Sequence, residues 1–257
     1  MSVVQGLWIG ESLSIMEKLS INSFLKNGYE YHLYTYGEVK NIPEGAIIKD
    51  GNEVLPKSDI FRYKNGSVSA FSNLFRFMLL YKKGGWWVDT DLMCTQYYDD
   101  SQDKYIFVCQ PNEEYSGYRL TSYLIKADKG DSVMLEGYNK CLAAKEDILS
   151  GKIGWNLGPD TIQFLVKKHK LDKFMKPWYF ANSCDCHHYK TIVDPYYQPK
   201  IKGEPKVIYF NNLNDKPKDN YFIHFWHEYW RSKKIDKDKE FDKDSIYEQL
   251  KSKYLSG

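Results

Sequence analysis

The alternation of apolar and polar positions divides the chain into strands and helices from its first residues. Val3 to Trp8 is largely apolar with two β-branched residues and predicts a buried strand. In "SLSIMEKLSINSFLKNG" the residues Leu13, Met16, Leu19 and Phe24 recur at roughly helical spacing. Ser12 is placed to cap that helix and Gly28 to end it. "YEYHLYTY" returns to a strand pattern, so the opening is a β-α-β unit with a right-handed crossover. Residues 37–65 carry little periodicity and read as loop with short elements. "SVSAFSNLFRFMLLYKKGG" is the strongest helical segment: Ser67 or Ser69 can begin it, Gly84 or Gly85 can stop it, and its centre is apolar enough to be buried on most faces. "GWWVDTDLM" then reads as one continuous strand, in which Trp87, Asp89 and Asp91 share a side.

Downstream, "KYIFVCQ" and "YRLTSYLIKA" predict strands, and "SVMLEGYNKCLAAKEDIL" predicts a helix. "GPDTIQFLVKKHKL" predicts another helix, with Pro159 in its first turn. "PKVIYF" predicts a late strand, followed by the aromatic run "YFIHFWHEYW". Strands alternating with helices indicate an α/β fold with a mainly parallel sheet, whose ligands sit beyond the carboxyl ends of the strands. The domain should span residues 1–231. The mixed-charge run "RSKKIDKDKEFDKDS" and the short helix-like "SIYEQLKSKYL" form a tail, 232–257, that belongs to the same domain or is appended to it.

Composition narrows this picture only slightly. With 36 Lys and Arg against 34 Asp and Glu, the formal net charge is +2, which argues against nucleic acid as a partner. The 22 tyrosines suit flat ligands such as sugar rings and bases, or an aromatic core. Five scattered cysteines, no signal-like segment and no window long enough for a membrane span suggest a cytoplasmic protein with reduced thiols. The basic residues of the tail could also dock on the inner face of a membrane, although its acidic residues (Asp236, Asp238, Glu240, Asp242, Asp244) oppose this. Cys184, Cys186, His187 and His188 in "SCDCHHYK" are zinc-ligand types, but their spacing does not fit a knuckle.

Two features demand chemistry. Ser69, Ser72, Asn73 and Arg76 form a polar stripe on an otherwise apolar helix. Its arginine either pairs with a core carboxylate or lines a cleft. Asp89 and Asp91 place two like charges beside a buried strand, which is costly unless something positive offsets them. A solvated turn is one resolution. A divalent ion held by hard oxygen ligands, Mn²⁺ or Mg²⁺ shared with a phosphate, is the other.

In combination, Ser72-Asn73-x-x-Arg76, Gly84-Gly85, Trp87 and Asp89-Thr90-Asp91 resemble the DXD-containing sugar-binding region of glycosyltransferases. That group includes capsular and lipopolysaccharide enzymes, yeast outer-chain mannosyltransferases and clostridial toxin glucosyltransferase domains. Asn73 stands where the family carries Asp, and Trp87 where it carries Tyr. The resemblance implies a GT-A fold and a nucleotide-sugar donor, with UDP favoured. It implies Mn²⁺ or Mg²⁺ held directly by Asp91, with Asp89 at the metal's water shell or on the donor ribose, and Arg76, Ser72 and Asn73 on the donor sugar. It extends to "GLWIG", which implies that Trp8 stacks on the base, and to "NLGPD", which puts Asn156 and Asp160 on the acceptor side. In "IHFWHEYW" it makes His224, or alternatively His227, a metal ligand and Trp230 the residue that closes over the donor. The implied activity is hexose transfer, with retention, to a saccharide or lipid-linked saccharide in surface polysaccharide biosynthesis. Two alternatives stay open: metal-dependent nucleotidyl or phosphoryl transfer, which requires further carboxylates around the pair, and a non-catalytic carbohydrate-binding protein of the same fold.

Overall fold

The computed structural model describes residues 2–112, 117–152, 154, 156–182, 186–198 and 210–255. In chain order the elements are β1 (Val3–Leu7), α1 (Ile15–Lys26), β2 (Glu30–Thr35), β3 (Ile47–Asp50), α2 (Ser69–Lys83), β4 (Gly85–Val88) and β5 (Leu92–Cys94). There follow β6 (Ile106–Asn112), β7 (Gly117–Ala127), α3 (Ser132–Ala143), α4 (Lys145–Leu149), α5 (Leu157–His169), β8 (Met175–Lys176), β9 (Phe222–His224), α6 (His227–Ser232) and α7 (Ile246–Leu255). A seven-stranded sheet runs β3-β2-β1-β4-β7-β6-β8, and β5 pairs with β9 in a separate ribbon. β7 alone opposes the common direction of the large sheet, so the predicted mixed α/β, mainly parallel architecture is present.

Alternation along the strands feeds two cores. Trp87, Phe107 and Ile125 face α2, α3 and α5 on one side of the sheet. Val4, Tyr31, Trp86 and Val88 face α1 and the β5-β9 ribbon on the other. α1 has a second apolar edge, Met16 and Leu19, which packs with Ile246, Tyr247 and Leu250 of α7 in a third cluster. The last helix is thus built into the core against α1. Among the described residues no helix is long and apolar enough to cross a membrane.

Several local expectations are corrected. Ser14 rather than Ser12 begins α1: the Glu17 carboxylate accepts from the Ser14 backbone N–H at 2.8 Å and its hydroxyl at 2.5 Å, as in a capping box. "GWWVDTDLM" is not one strand. β4 ends at Val88, a turn closed by the Leu92 N–H on the Asp89 carbonyl (3.1 Å) follows, and β5 leaves for the small ribbon. The late strand expected at "PKVIYF" lies, except for Phe210, outside the described residues, as does Cys184 of the zinc reading; Cys186 lies among those whose side chains are not described.

Three features of the backbone aim the site. Gly84 and Gly85 have φ of 70° and 83°, which lets the chain reverse from α2 directly into β4. A Cβ on Gly84 would lie 2.5 Å from the Lys129 backbone nitrogen. In the β6–β7 pair the partner of the chain shifts from Ile125 opposite Phe107 to Leu120 opposite Cys109. This bulge re-aims the stretch of β7 that holds Tyr123.

Candidate active site

The polar stripe of α2 and the Asp-Thr-Asp turn meet at the carboxyl end of β4. Arg76 is buried. Its Nη1 donates to Asn73 Oδ1 at 2.7 Å, and its Nη2 donates to Asp89 Oδ1 at 3.0 Å and Ser72 Oγ at 3.3 Å. Of the two sequence readings of this arginine, pairing with a core carboxylate is the one observed. The guanidinium carbon also lies 5.1 Å from the centre of the Trp87 ring, and the Trp87 indole N–H donates to Asp89 Oδ1 at 2.7 Å. Gly158 explains the close seat of α5 on this stripe: a Cβ there would collide with Asn73 Oδ1 and stand 2.5 Å from Ser122 Oγ.

Asp91 is organised from the far end of the chain. β9 pairs with β5 so that His224 lies opposite Leu92, which brings His224 Nε2 to 3.3 Å from Asp91 Oδ1. The backbone N–H of Phe225 donates to the Asp91 carbonyl at 3.0 Å, and that of His227 to Asp91 Oδ2 at 2.8 Å. His227 therefore reaches Asp91 through its backbone. The cluster of ligand-type side chains found among the described residues is Asp89, Asp91 and His224, with one donor atom from each within 4.8 Å of the others.

The electrostatics of the pair are unequal. Burial raises the Asp89 pKa, Arg76 opposes that, and the neighbouring Asp91 charge raises it further. Burial also pushes Asp91 upward, but the charge and hydrogen bond of His224, together with His227, outweigh it and hold this carboxyl well below the usual range. Burial and the Lys237 charge lower the pKa of His227. Two hard carboxylate oxygens and one imidazole nitrogen, two carboxylates against a single guanidinium, form a donor set that fits Mn²⁺ or Mg²⁺. Among the described residues the buried Nδ1 of His224 and Nε of Arg76 have no hydrogen-bond partner.

The other predicted residues fall in three places. Trp8, half-buried just beyond β1, is at the same end of the sheet; among the described residues its buried indole nitrogen has no partner, and Lys237 Nζ lies 5.6 Å over its ring. Asn156 and Asp160 open α5 and are joined by Arg119, which donates to Asn156 Oδ1 at 3.1 Å and Asp160 Oδ1 at 2.7 Å. Through Gly158 this rim adjoins Asn73. Trp230 is not brought to the site. It is 0 % exposed in the third core cluster, packed on Phe225 and Tyr247, because α6 turns it inward towards α7. The tryptophan beside His224 is Trp226, and the ring beneath it is Tyr123. Trp226 lies inside the quoted "IHFWHEYW" without a role assigned to it, while Tyr123 and Arg119 lie in the predicted strand "YRLTSYLIKA" and in none of the motifs.

No curated protein matches the chain. Among solved structures it is similar to a PaToxG glycosyltransferase, with 15 % identity, 65 % of this chain and 69 % of that one covered, and a TM-score of 0.47. It is also similar to the glycosyltransferase GlyE of Streptococcus pneumoniae TIGR4, with 12 % identity, 91 % and 64 % covered, and a TM-score of 0.46; the chain thus spans less than two thirds of GlyE. For the UDP-bound glycosyltransferase domain of the YGT toxin the values are 8 %, 75 % and 69 %, and 0.39. Residues 53–195, more than half of the sequence and including α2, the Asp-Thr-Asp turn and the start of α5, match the profile of a family described as capsular polysaccharide synthesis protein, and the chain belongs to that family.

Proposed function

We propose that this chain is a metal-dependent glycosyltransferase of the GT-A type that moves a hexose from a nucleotide diphosphate sugar, with UDP favoured, to a saccharide or lipid-linked saccharide acceptor in capsule synthesis. The observation that carries the reading is the convergence of Asp89, Asp91 and His224, drawn from two distant parts of the chain, beside a buried arginine. Bound at this triad, Mn²⁺ or Mg²⁺ would supply charge neutralisation for a departing diphosphate. Arg76, held by Ser72, Asn73 and Asp89, is oriented to bind donor hydroxyls. Trp8 offers an aromatic face for the base, and Arg119, Asn156 and Asp160 offer polar groups on the acceptor side. Retention is part of the proposal: the leaving phosphate can take the acceptor's proton on the face it departs from, which requires no side-chain base. Cytoplasmic action is the setting this chemistry implies.

Phosphoryl or nucleotidyl transfer through two metals is less well supported, because the ligand cluster among the described residues contains no third carboxylate. Incubation with a panel of UDP- and GDP-sugars and Mn²⁺ tests the proposal. Slow hydrolysis of one donor, abolished by EDTA and by Asp91→Ala, is the expected result. Absence of any donor binding overturns it, and binding without turnover in the presence of acceptors favours a carbohydrate-binding role.

A further inference from the structure

A metal-ligating histidine ordinarily donates its second ring N–H to a carboxylate, a carbonyl or water, and that bond fixes the ring. Among the described residues His224 makes no such bond: its Nε2 faces Asp91, while Nδ1 is buried without a partner. The ring is nevertheless tightly enclosed. Tyr123 stacks on one face with centroids 4.0 Å apart and planes inclined by 20°. Trp226 meets it edge-on at 4.2 Å and 66°, and also packs on Tyr123 at 5.7 Å.

Both walls are themselves anchored. The Tyr123 hydroxyl donates to Asn182 Oδ1 at 3.0 Å, and Asn182 Nδ2 in turn donates to the Trp178 carbonyl at 2.9 Å. Trp226 has φ of 58° and ψ of 46°, a left-handed conformation that is unfavourable for a residue with a Cβ. Such an outlier persists only where its surroundings enforce it. Here the flanking Phe225 and His227 both donate backbone N–H groups to Asp91, so the turn that strains Trp226 is the turn that wraps the chain around a candidate ligand.

We propose that Tyr123 and Trp226 are positioning residues that hold His224 in its ligating orientation by aromatic packing, in place of a hydrogen bond to Nδ1. The inference rests on the metal-dependent reading above, and its test separates the two. Mn²⁺ affinity of the full chain, read from the EPR signal of free Mn²⁺, needs no donor and no turnover. His224→Ala should weaken binding about tenfold or more, the scale on which ligand-supporting groups act. Tyr123→Phe keeps the stacking ring and loses only the Asn182 anchor, and should weaken binding far less than Tyr123→Leu. Tyr123→Leu keeps the site apolar, removes the stacking plane and should weaken binding nearly as far as His224→Ala. Trp226→Gly relieves the backbone while deleting the indole, and should also weaken binding. Near-ultraviolet circular dichroism identifies any variant that has lost its fold. Native-like affinity in folded Tyr123→Leu, with His224→Ala impaired, overturns the clamp alone, as does equal loss in the Phe and Leu variants. Native-like affinity in His224→Ala overturns the ligand set itself.

Discussion

Trp86 and Trp87 are neighbours in β4, point to opposite faces of the sheet, and each donates its indole N–H to an aspartate backed by a cation. Trp87 reaches Asp89 at 2.7 Å, with Arg76 at 3.0 Å from the same oxygen. Trp86 reaches Asp100 at 2.8 Å, with Lys126 also at 2.8 Å. The parts are alike and the outcomes differ. At the Asp100 centre every group is used: Ser2 takes the second carboxylate oxygen at 2.5 Å, and Lys126 also donates to the carbonyls of Asp100 and Asp103. One cation meets one anion, and although burial raises the Asp100 pKa, Lys126, Ser2 and Trp86 together bring it below the usual range. At the Asp89 centre two carboxylates stand against one guanidinium, which pairs with Asp89 alone, burial and the Asp91 charge raise the Asp89 pKa, and among the described residues Nε of Arg76 and Nδ1 of His224 have no hydrogen-bond partner. A cavity of about 510 Å³ opens beside the Asp100 centre, lined by residues that include Ser2, Gln5, Gly84 and Lys126. Charge imbalance and unmet hydrogen bonds set the Asp89 centre apart from the Asp100 centre.

Removing one carboxylate from each centre should break the symmetry most sharply. Asp91→Asn keeps an acceptor for the His227 N–H but loses the charge, and should lower kcat/KM by about 10²- to 10³-fold, the cost of one preorganised electrostatic group. Its stability should fall less than that of Asp100→Ala, since loss of the charge held by His224 is partly offset by removal of a like-charge neighbour of Asp89. Asp100→Ala should do the opposite. Stranding the largely buried Lys126 and Trp86 costs about 3–5 kcal/mol by denaturant unfolding, while the activity of the folded fraction stays native. Reversal of these phenotypes would mean that the Asp100 centre is the working one.

The same contrast has a pH signature. Asp100 has a depressed pKa in the folded protein, so its stabilisation is complete above the unfolded value of about 4 and is lost as pH falls through the lower folded value. The stability gap between the native protein and Asp100→Asn should therefore be constant at neutral pH and close in acid. A gap that widens in acid would contradict the assignment. Arg76→Lys should have an intermediate effect. A lysine keeps the charge but cannot serve Asn73, Ser72 and Asp89 at once, so activity should fall about 10- to 100-fold, with most of the loss in donor KM.

How far the chain could be read in advance follows from how local each device is. The α2 stripe, the Gly-Gly reversal and the Asp-Thr-Asp pair lie within twenty-odd residues, and their periodicity and spacing survive into the structure almost unchanged. The break between β4 and β5 was hidden, because an Asp-Thr-Asp turn inside apolar flanks has the alternation of a strand; what ends β4 is the pairing of β5 with β9, about 130 residues away in sequence. His224 was legible as a strand end. Trp226 and Trp230 could not be told apart, because an unbroken aromatic run carries no period, and only the left-handed turn at Trp226 decides which one faces His224. Tyr123 was hidden for a similar reason: the β7 bulge that aims it depends on its partner strand.

The smallest effect concerns the tail, which the composition left as a solvated or membrane-docking segment. Asp238 accepts the Ile15 N–H at the start of α1 at 2.6 Å, and Lys237 pairs with the buried Glu17 at 2.5 Å while its ammonium overlies Trp8. The charged run thus seals the entrance of α1 beside the proposed base platform. Lys237 is also close enough to His227 to lower its pKa, so its positive potential extends toward Asp91. Lys237→Gln keeps a donor for Glu17 and removes the charge. If Lys237 contributes to holding the anionic donor, nucleotide affinity measured by tryptophan quenching should fall about three- to tenfold, the scale of one partly screened charge pair, and the difference should shrink at high salt. Tighter binding instead would show that the lysine competes with the base for the Trp8 ring, and would turn the tail from a wall of the open centre into its cover.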